Sequence, residues 1–284
     1  LLVRIPKALF IHGFVRHELF GILKSGHPKA KVGALIDLLR YEFSYVFESF
    51  LYICHSLTAC ETNKLEQHRF VLLPQFVLND DVRESELLFN KKMDNIERMA
   101  NRPRVRILIY TSLAKSPRLL TNKILFYIAR KLDKLVKKYV DLIIVDPLNS
   151  ASADQLDKLR IATLPFIPKQ RFMKLLYEAD LYVERCVDEE IGYTSIEAGL
   201  IGTPVAKLTR NEYMNRQDYT SSEVILGNSL SEFIEKIAEY INNIESYESV
   251  YATAFRKFIV HKRHWDYVKH DFINELRRLL TKQF

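Results

Sequence analysis

At 284 residues, 48% of them apolar, the chain is long enough for one large core or two ordinary ones and too apolar to be disordered. Its 42 Lys and Arg against 35 Asp and Glu leave +7, which is compatible with a nucleotide, a phosphate group or an acidic membrane surface and selects none of them. No apolar run approaches the roughly 18 residues of a membrane span, and no signal-peptide layout opens the chain. Three cysteines, Cys54, Cys60 and Cys186, form no C-x-x-C pair and no even-numbered framework, which points to a reducing, cytoplasmic setting. The chain opens LLVRIP without an initiator methionine and reads as a fragment.

Short apolar runs then alternate with amphipathic stretches, the pattern of parallel strands joined by crossover helices. KALFIH (7–12), SLTACE (56–61) and RFVLL (69–73) read as strands, with a helix from Ile36 to His55 between the first two. That is too little for a complete doubly wound sheet. Beyond Pro103 the series is cleaner: VRILIYT (105–111), a helix from Pro117 to Lys138, DLIIVD (141–146), RIATLPF (160–166), a helix from Lys169 to Tyr177, DLYVE (180–184) and TPVAKL (203–208). Ser229 with Glu232 has the form of a capping box, Leu230, Phe233, Ile234, Ile237 and Ile241 follow at helical spacing, and two further helices cover 246–260 and 265–281. The expected division is 1–102, 103–260, and 261–284 as a closing helix that packs back across the domain junction.

The stretch DEEIGYTSIEAGLIGTPVA (188–206) carries the chemistry. DLYVE delivers it to the carboxyl edge of a parallel sheet, where open α/β sheets place their ligands. Gly192 permits close approach or unusual backbone, and a helix beginning at Tyr193 or Thr194 presents first-turn N–H groups to an anion, worth about 0.3–1 kcal/mol per exposed charge. Glu189 in the loop and Glu197 on the helix can accept hydroxyl hydrogen bonds on either side of a diphosphate. Two sugar rings flanking a diphosphate describe a nucleotide sugar.

E-E-I-G-Y-T-S-I-E-A-G-L-I-G-T-P-V resembles the E-x7-E segment of retaining glycosyltransferases of the GT-B fold, family four, whose usual form is E-G-F-G-x-x-x-x-E-A-x-x-x-G-x-P-V. LPFIPKQRFMKLLYEADLYVE, SLTACETNKLEQHRFVLLPQFV, LFIHG and RHWDYVKHDF are similar to other segments of that family. The resemblance implies an α/β architecture of two Rossmann-like domains facing a cleft, the N-terminal one short or truncated. It implies that Glu189 contacts the donor sugar, that Glu197 contacts the ribose, and that the backbone around Ile191, Gly192, Tyr193 and Thr194 holds the diphosphate. By the same resemblance Phe166 lies beside the base. His12, at a strand's carboxyl end before a glycine, can reach the interdomain cleft. The family's Arg and Lys after the first strand of the C-terminal domain are replaced by YTSLAKSPR, where Ser112 takes the arginine's place and Lys115 and Arg118 are the available cations.

The expected activity is therefore transfer of a sugar, with retention, from a nucleoside diphosphate sugar such as a UDP- or GDP-sugar to an acceptor that is a glycan, a lipid or a protein. The expectation includes no metal and no other cofactor, and a cytoplasmic protein with peripheral membrane contact as an option. An inactive GT-B-fold binding or scaffold protein is the alternative. A nucleic-acid partner is disfavoured, because the positive charges are scattered without aromatic interleaving. His261, His264 and His270 lack ligand spacing, and Asp80-Asp81 lacks the spaced D-x-D form.

Overall fold

The computed structural model of the chain describes residues 7–11, 50–54, 70–96, 102–110, 122–145, 161–164, 167–185, 187 and 189–281. The chain divides into two compact units. One comprises Leu1–Gln75, Leu113–Pro117 and Asp266–Phe284, and the other Phe76–Ser112 and Arg118–Trp265.

In the first unit β1 (Lys7–Ile11), β2 (Phe50–Cys54) and β3 (Phe70–Leu72) form a parallel sheet in that order, with Lys7 opposite Phe50 and Tyr52 opposite Phe70. The helix expected to run to His55 is therefore corrected at its end: FLYIC is a strand. A short continuous apolar run carries no period that separates buried helix from buried strand, and pairing with β1 decides it. SLTACE lies outside the described residues.

The second unit is a six-stranded parallel sheet in the order β6-β5-β4-β7-β8-β9. Its strands are β4 (Arg104–Tyr110), β5 (Tyr139–Val145), β6 (Ile161–Leu164), β7 (Leu181–Glu184), β8 (Val205–Leu208) and β9 (Ile225–Gly227). The helices are α1 (Asn79–Asp94), α2 (Asn122–Leu135), α3 (Lys169–Glu178), α4 (Tyr193–Leu200), α5 (Leu230–Asn242) and α6 (Ile244–Phe258). A π-turn (Ile259–Arg263) then leads to α7 (Trp265–Thr281), which belongs to the first unit from Asp266 onward. Two elements exceed the expectation, the three-residue strand β9 and the helix α1, whose apolar residues make no strong stripe.

Alternation along β4 builds two cores. Val105, Ile107 and Ile109 face α2 and α5, while Leu108 faces the opposite layer, where Phe172 and Leu176 of α3, Ile196 of α4 and Phe255 of α6 close over it. The chain lays β4, β5 and β6 outward in one direction and then crosses to place β7 on the other side of β4. The strand order thus reverses between β4 and β7, the topological switch point at which such sheets open a crevice.

Ser229 caps α5 by accepting from the Glu232 N–H at 3.2 Å, but the Glu232 carboxylate reaches the N–H of Asn228 at 3.0 Å, one residue before the cap. Gly202 ends α4 in the left-handed conformation, φ 81°, with its N–H on the Gly199 carbonyl at 3.1 Å and the Thr203 N–H on the Ala198 carbonyl at 2.8 Å. These two bonds make a Schellman motif, and Pro204 prevents continuation. The Gly-Thr-Pro of the sequence is thus a helix stop that turns the chain into β8.

α1 is fastened to this turn by a buried cation. Lys92 is fully buried, and its Nζ donates to the carbonyls of Tyr177 (3.0 Å) and Ala179 (2.7 Å) and to Thr203 Oγ1 (2.7 Å). Glu248 of α6 is fully buried too, and among the described residues neither of its carboxyl oxygens meets a hydrogen-bond partner. Burial lowers the Lys92 ammonium from 10.5 to about 8 and raises the Glu248 carboxyl from 4.5 to about 7. Glu248, with its raised folded pKa, contributes stability that is present below pH 4.5 and lost as pH rises to about 7. Lys92 has a depressed folded pKa, so the unfolded chain binds more protons between about 8 and 10.5 and stability rises with pH there. A Lys92→Met, Glu248→Leu double variant lacks both titrations, so its stability relative to wild type should be highest between pH 7 and 8 and fall progressively on either side. Urea denaturation across that range measures it. Lys92→Ala alone should cost about 3 kcal/mol by leaving three acceptors unmet.

Candidate functional site

β7 reads LYVE and is buried at all four positions, so a carboxylate ends a strand that is otherwise apolar. It lies at the carboxyl end of β7, beside the switch point. Glu184 Oε2 accepts the Gly192 N–H at 3.0 Å and the Ser195 hydroxyl at 2.6 Å, which places a buried acid directly under the start of α4. Gly192 has an ordinary φ of −65°. Its glycine identity is required by proximity instead, since a Cβ there would lie 2.5 Å from the same Oε2. Of the two roles the sequence left open for this glycine, the structure selects close approach.

The loop before α4 is held from two further directions. Lys207 of β8, the register partner of Glu184, is fully buried and its Nζ donates to the Glu190 carbonyl at 2.6 Å. Arg263, in the π-turn, pairs with Glu190 Oε1 at 3.5 Å and with Asp218 Oδ1 at 2.8 Å, its guanidinium 5.8 Å from the Phe258 ring centre. A π-turn widens the helix locally and re-aims its side chains. Here it sends a cation to the loop.

Among the described residues no side chain caps α4, and its first-turn N–H groups are the donors that every helix start presents. Tyr193 is exposed, Thr194 hydrogen-bonds the buried Tyr182 phenol, whose pKa burial drives well above the usual value, and Ile191 is fully buried in the core. Glu189 is buried in the loop. Glu197, one turn into the helix, pairs with Lys169 Nζ at 3.1 Å, and burial raises its carboxyl above the ordinary range despite that lysine. The Lys169 ammonium also stands 5.8 Å from the Tyr193 ring centre and is itself raised, first by its hydrogen bond to Glu197.

The structure thus gathers Ile191, Gly192, Tyr193, Thr194 and Glu197 at one helix start, with Glu189 in the loop that leads to it. His12, Lys115, Arg118 and Phe166 lie outside the described residues. Among the described residues no group of three His, Cys, Asp or Glu side chains gathers to hold a metal. Asp81 instead accepts the Leu78 N–H at 2.9 Å at the start of α1, and His264 Nε2 meets Asn79 Oδ1 at 3.0 Å. Four residues of the site go beyond the sequence reading: Glu184, Lys207, Arg263 and Lys169. The first two carried a signal, an acid and a lysine each standing in an otherwise apolar strand.

Glu184→Ala should destabilise the unit by about 1–3 kcal/mol, because the Gly192 N–H and the Ser195 hydroxyl lose their buried acceptor. Glu184→Gln keeps a carbonyl for them and should recover most of that loss. Gly192→Ala should resemble Glu184→Ala. Urea midpoints of the three variants decide the point, and equal stability of all of them with wild type would remove Glu184 from its role.

The chain matches no protein-family model and no curated protein by sequence. Solved structures do match its fold. Sucrose-phosphate synthase from Thermosynechococcus elongatus aligns over the whole of this chain and 70% of its own, at 14% identity and a TM-score of 0.59. A glycosyltransferase from Rickettsia africae aligns over 81% of this chain and 63% of its own, at 14% identity and 0.55. Anabaena HepE, in complex with UDP and glucose, aligns over 80% and 63%, at 14% identity and 0.54. The chain has the α/β architecture of the GT-B glycosyltransferases.

Proposed function

We propose that the chain is a glycosyltransferase that moves a sugar, with retention, from a nucleoside diphosphate sugar to an acceptor. One observation carries this reading: an uncapped helix start, seated at the switch point of a parallel sheet, with Glu189 in the loop before it and Glu197 one turn after it. Anions are favoured at such a helix start by unpaired N–H groups and by the helix dipole. Similar folds that bind UDP and glucose, as HepE does, support the same assignment.

In this reading the N–H groups of the first turn of α4 face the diphosphate, Glu197 accepts from the ribose hydroxyls, and Glu189 accepts from the donor sugar. As the glycosidic bond breaks, negative charge grows on the departing diphosphate. Donors fixed in advance at that position lower the barrier without reorganising. No group is assigned as a nucleophile. No metal or other cofactor is invoked. The acceptor, whether glycan, lipid or protein, is assigned to an N-terminal part, residues 1–102, together with His12, the donor to 103–260, and 261–284 to the closing helix. Among the described residues no helix is long and apolar enough to cross a membrane. A cytoplasmic location with peripheral membrane contact fits the net charge.

A second reading, a GT-B fold retained as a binding or scaffold module, is favoured by a specific feature. Glu184 places a buried acid beside the N–H groups that a diphosphate would use, in a chain whose YTSLAKSPR segment lacks the paired Arg and Lys of its resemblance.

Titration calorimetry with UDP-glucose and GDP-mannose separates the two. Donor binding is expected, with Glu189→Ala and Glu197→Ala each weakening it about tenfold to a hundredfold, the value of hydrogen bonds to a charged acceptor. Unchanged affinity in both variants, or no binding of either donor by wild type, would sink the reading. Because Glu197 accepts best as a carboxylate and burial raises its pKa, affinity should begin to fall at a higher pH than it would for an exposed glutamate. Glu197→Gln should flatten that profile.

A further inference from the structure

The loop and first turn of α4 are crowded with acid. Glu184 lies beneath the turn, Glu189 and Glu190 lie in the loop, Glu197 is on the helix, and Asp81 is close enough to raise the Tyr193 and Glu197 pKa values. A diphosphate would add further negative charge. Among the described residues two of the nearby cations are already committed, because Lys207 and Arg263 are buried and both hold Glu190.

Lys169 differs from them in every respect. It is the first residue of α3, and its side chain is 71% exposed. Its Nζ lies 3.1 Å from Glu197 Oε1 and 5.8 Å from the ring centre of Tyr193, the first residue of the uncapped helix. An ammonium has three donors, so one can remain on Glu197 while others turn to a second acceptor. A flexible lysine is well suited to a phosphate as a mobile point charge, whereas a buried arginine fork is fixed.

Building on the reading above, we propose that Lys169 is the cation that receives the donor diphosphate, bridging it to Glu197 so that phosphate and ribose are recognised together. It is a positioning and specificity residue of the donor site. The bland alternative is that Lys169 only holds Glu197 in place.

The two differ in which part of the ligand senses the lysine. In calorimetric titrations with UDP against uridine and GDP against guanosine, Lys169→Met should weaken the diphosphate about five- to twentyfold and leave the nucleoside within about twofold. Lys169→Arg should restore most of the loss, and the salt dependence of diphosphate binding should shrink in Lys169→Met. Equal weakening of diphosphate and nucleoside would overturn the proposal by showing that the lysine acts only through Glu197. Unchanged diphosphate affinity in Lys169→Met, with wild type binding normally, would overturn it while leaving the glycosyltransferase reading intact. A wild-type protein that binds neither UDP nor GDP removes that reading, and the proposal falls with it.

Discussion

A carboxylate under a helix start governs the site. Glu184 joins the last residue of β7 to the first turn of α4 through two hydrogen bonds, to Gly192 and Ser195, and so sets where the loop between them must close. An acid at this end of a helix is stabilised by the local dipole, and burial sharpens the interaction by excluding water. Its presence also explains why a side chain at position 192 would have to displace that carboxylate. The requirement usually associated with glycine, a positive φ, does not operate there; it operates ten residues later at Gly202, where the helix ends.

The same short helix is held at its other end by unrelated means. Gly202 and Thr203 return their N–H groups to the last turn, and Lys92 of α1 binds Thr203 Oγ1, which in turn donates to the Leu176 carbonyl at 2.7 Å. Arg256 of α6 donates to the Leu200 carbonyl and to Ser85 of α1 at 3.2 Å. Eight residues of helix make little stability by themselves, since nucleation is unfavourable and propagation adds only one bond per residue. Side chains from β7, α1 and α6 supply what the segment lacks. The direction in which its first N–H groups point is consequently a property of the whole unit.

What could be read from the sequence follows from which signals are local. Strands β4 to β8 are apolar runs bounded by polar segments, and α2, α3, α5 and α6 repeat at helical spacing, so each is visible within a short window. FLYIC was ambiguous because five apolar residues contain no period, and α1 was hidden because its attachment rests on Lys92 and Ser85, residue types that ordinarily face water. The spacing of Glu189, Gly192 and Glu197 was legible as placement, with Gly192 and Glu197 at the start of α4 and Glu189 in the loop before it. Glu184, Lys207, Arg263 and Lys169 were not, because each acts through a partner remote in sequence: Arg263 reaches Glu190 across 73 positions, and Lys169 reaches Glu197 from another helix. Charged residues in the buried strands β7 and β8 were the one available clue, and register pairing turns that clue into neighbours.

Charge balance connects these observations to chemistry. Glu190 is held twice, by Lys207 at its backbone carbonyl and by Arg263 at its carboxylate, which makes it a structural post. Glu197 is in the opposite situation: partly buried, raised in pKa, and paired, among the described residues, with a lysine that is largely in solvent. A pair of that kind contributes little to folding, because an exposed ammonium is well screened and loses side-chain entropy when held. Lys169 also partly opposes the burial that raises the Glu197 pKa, and under the proposed function it holds that acid where hydroxyl donors would approach. In the donor site proposed above, so weak a contact can be shared with a ligand. Rigid charges fix the loop, and the loosely held one remains available for binding.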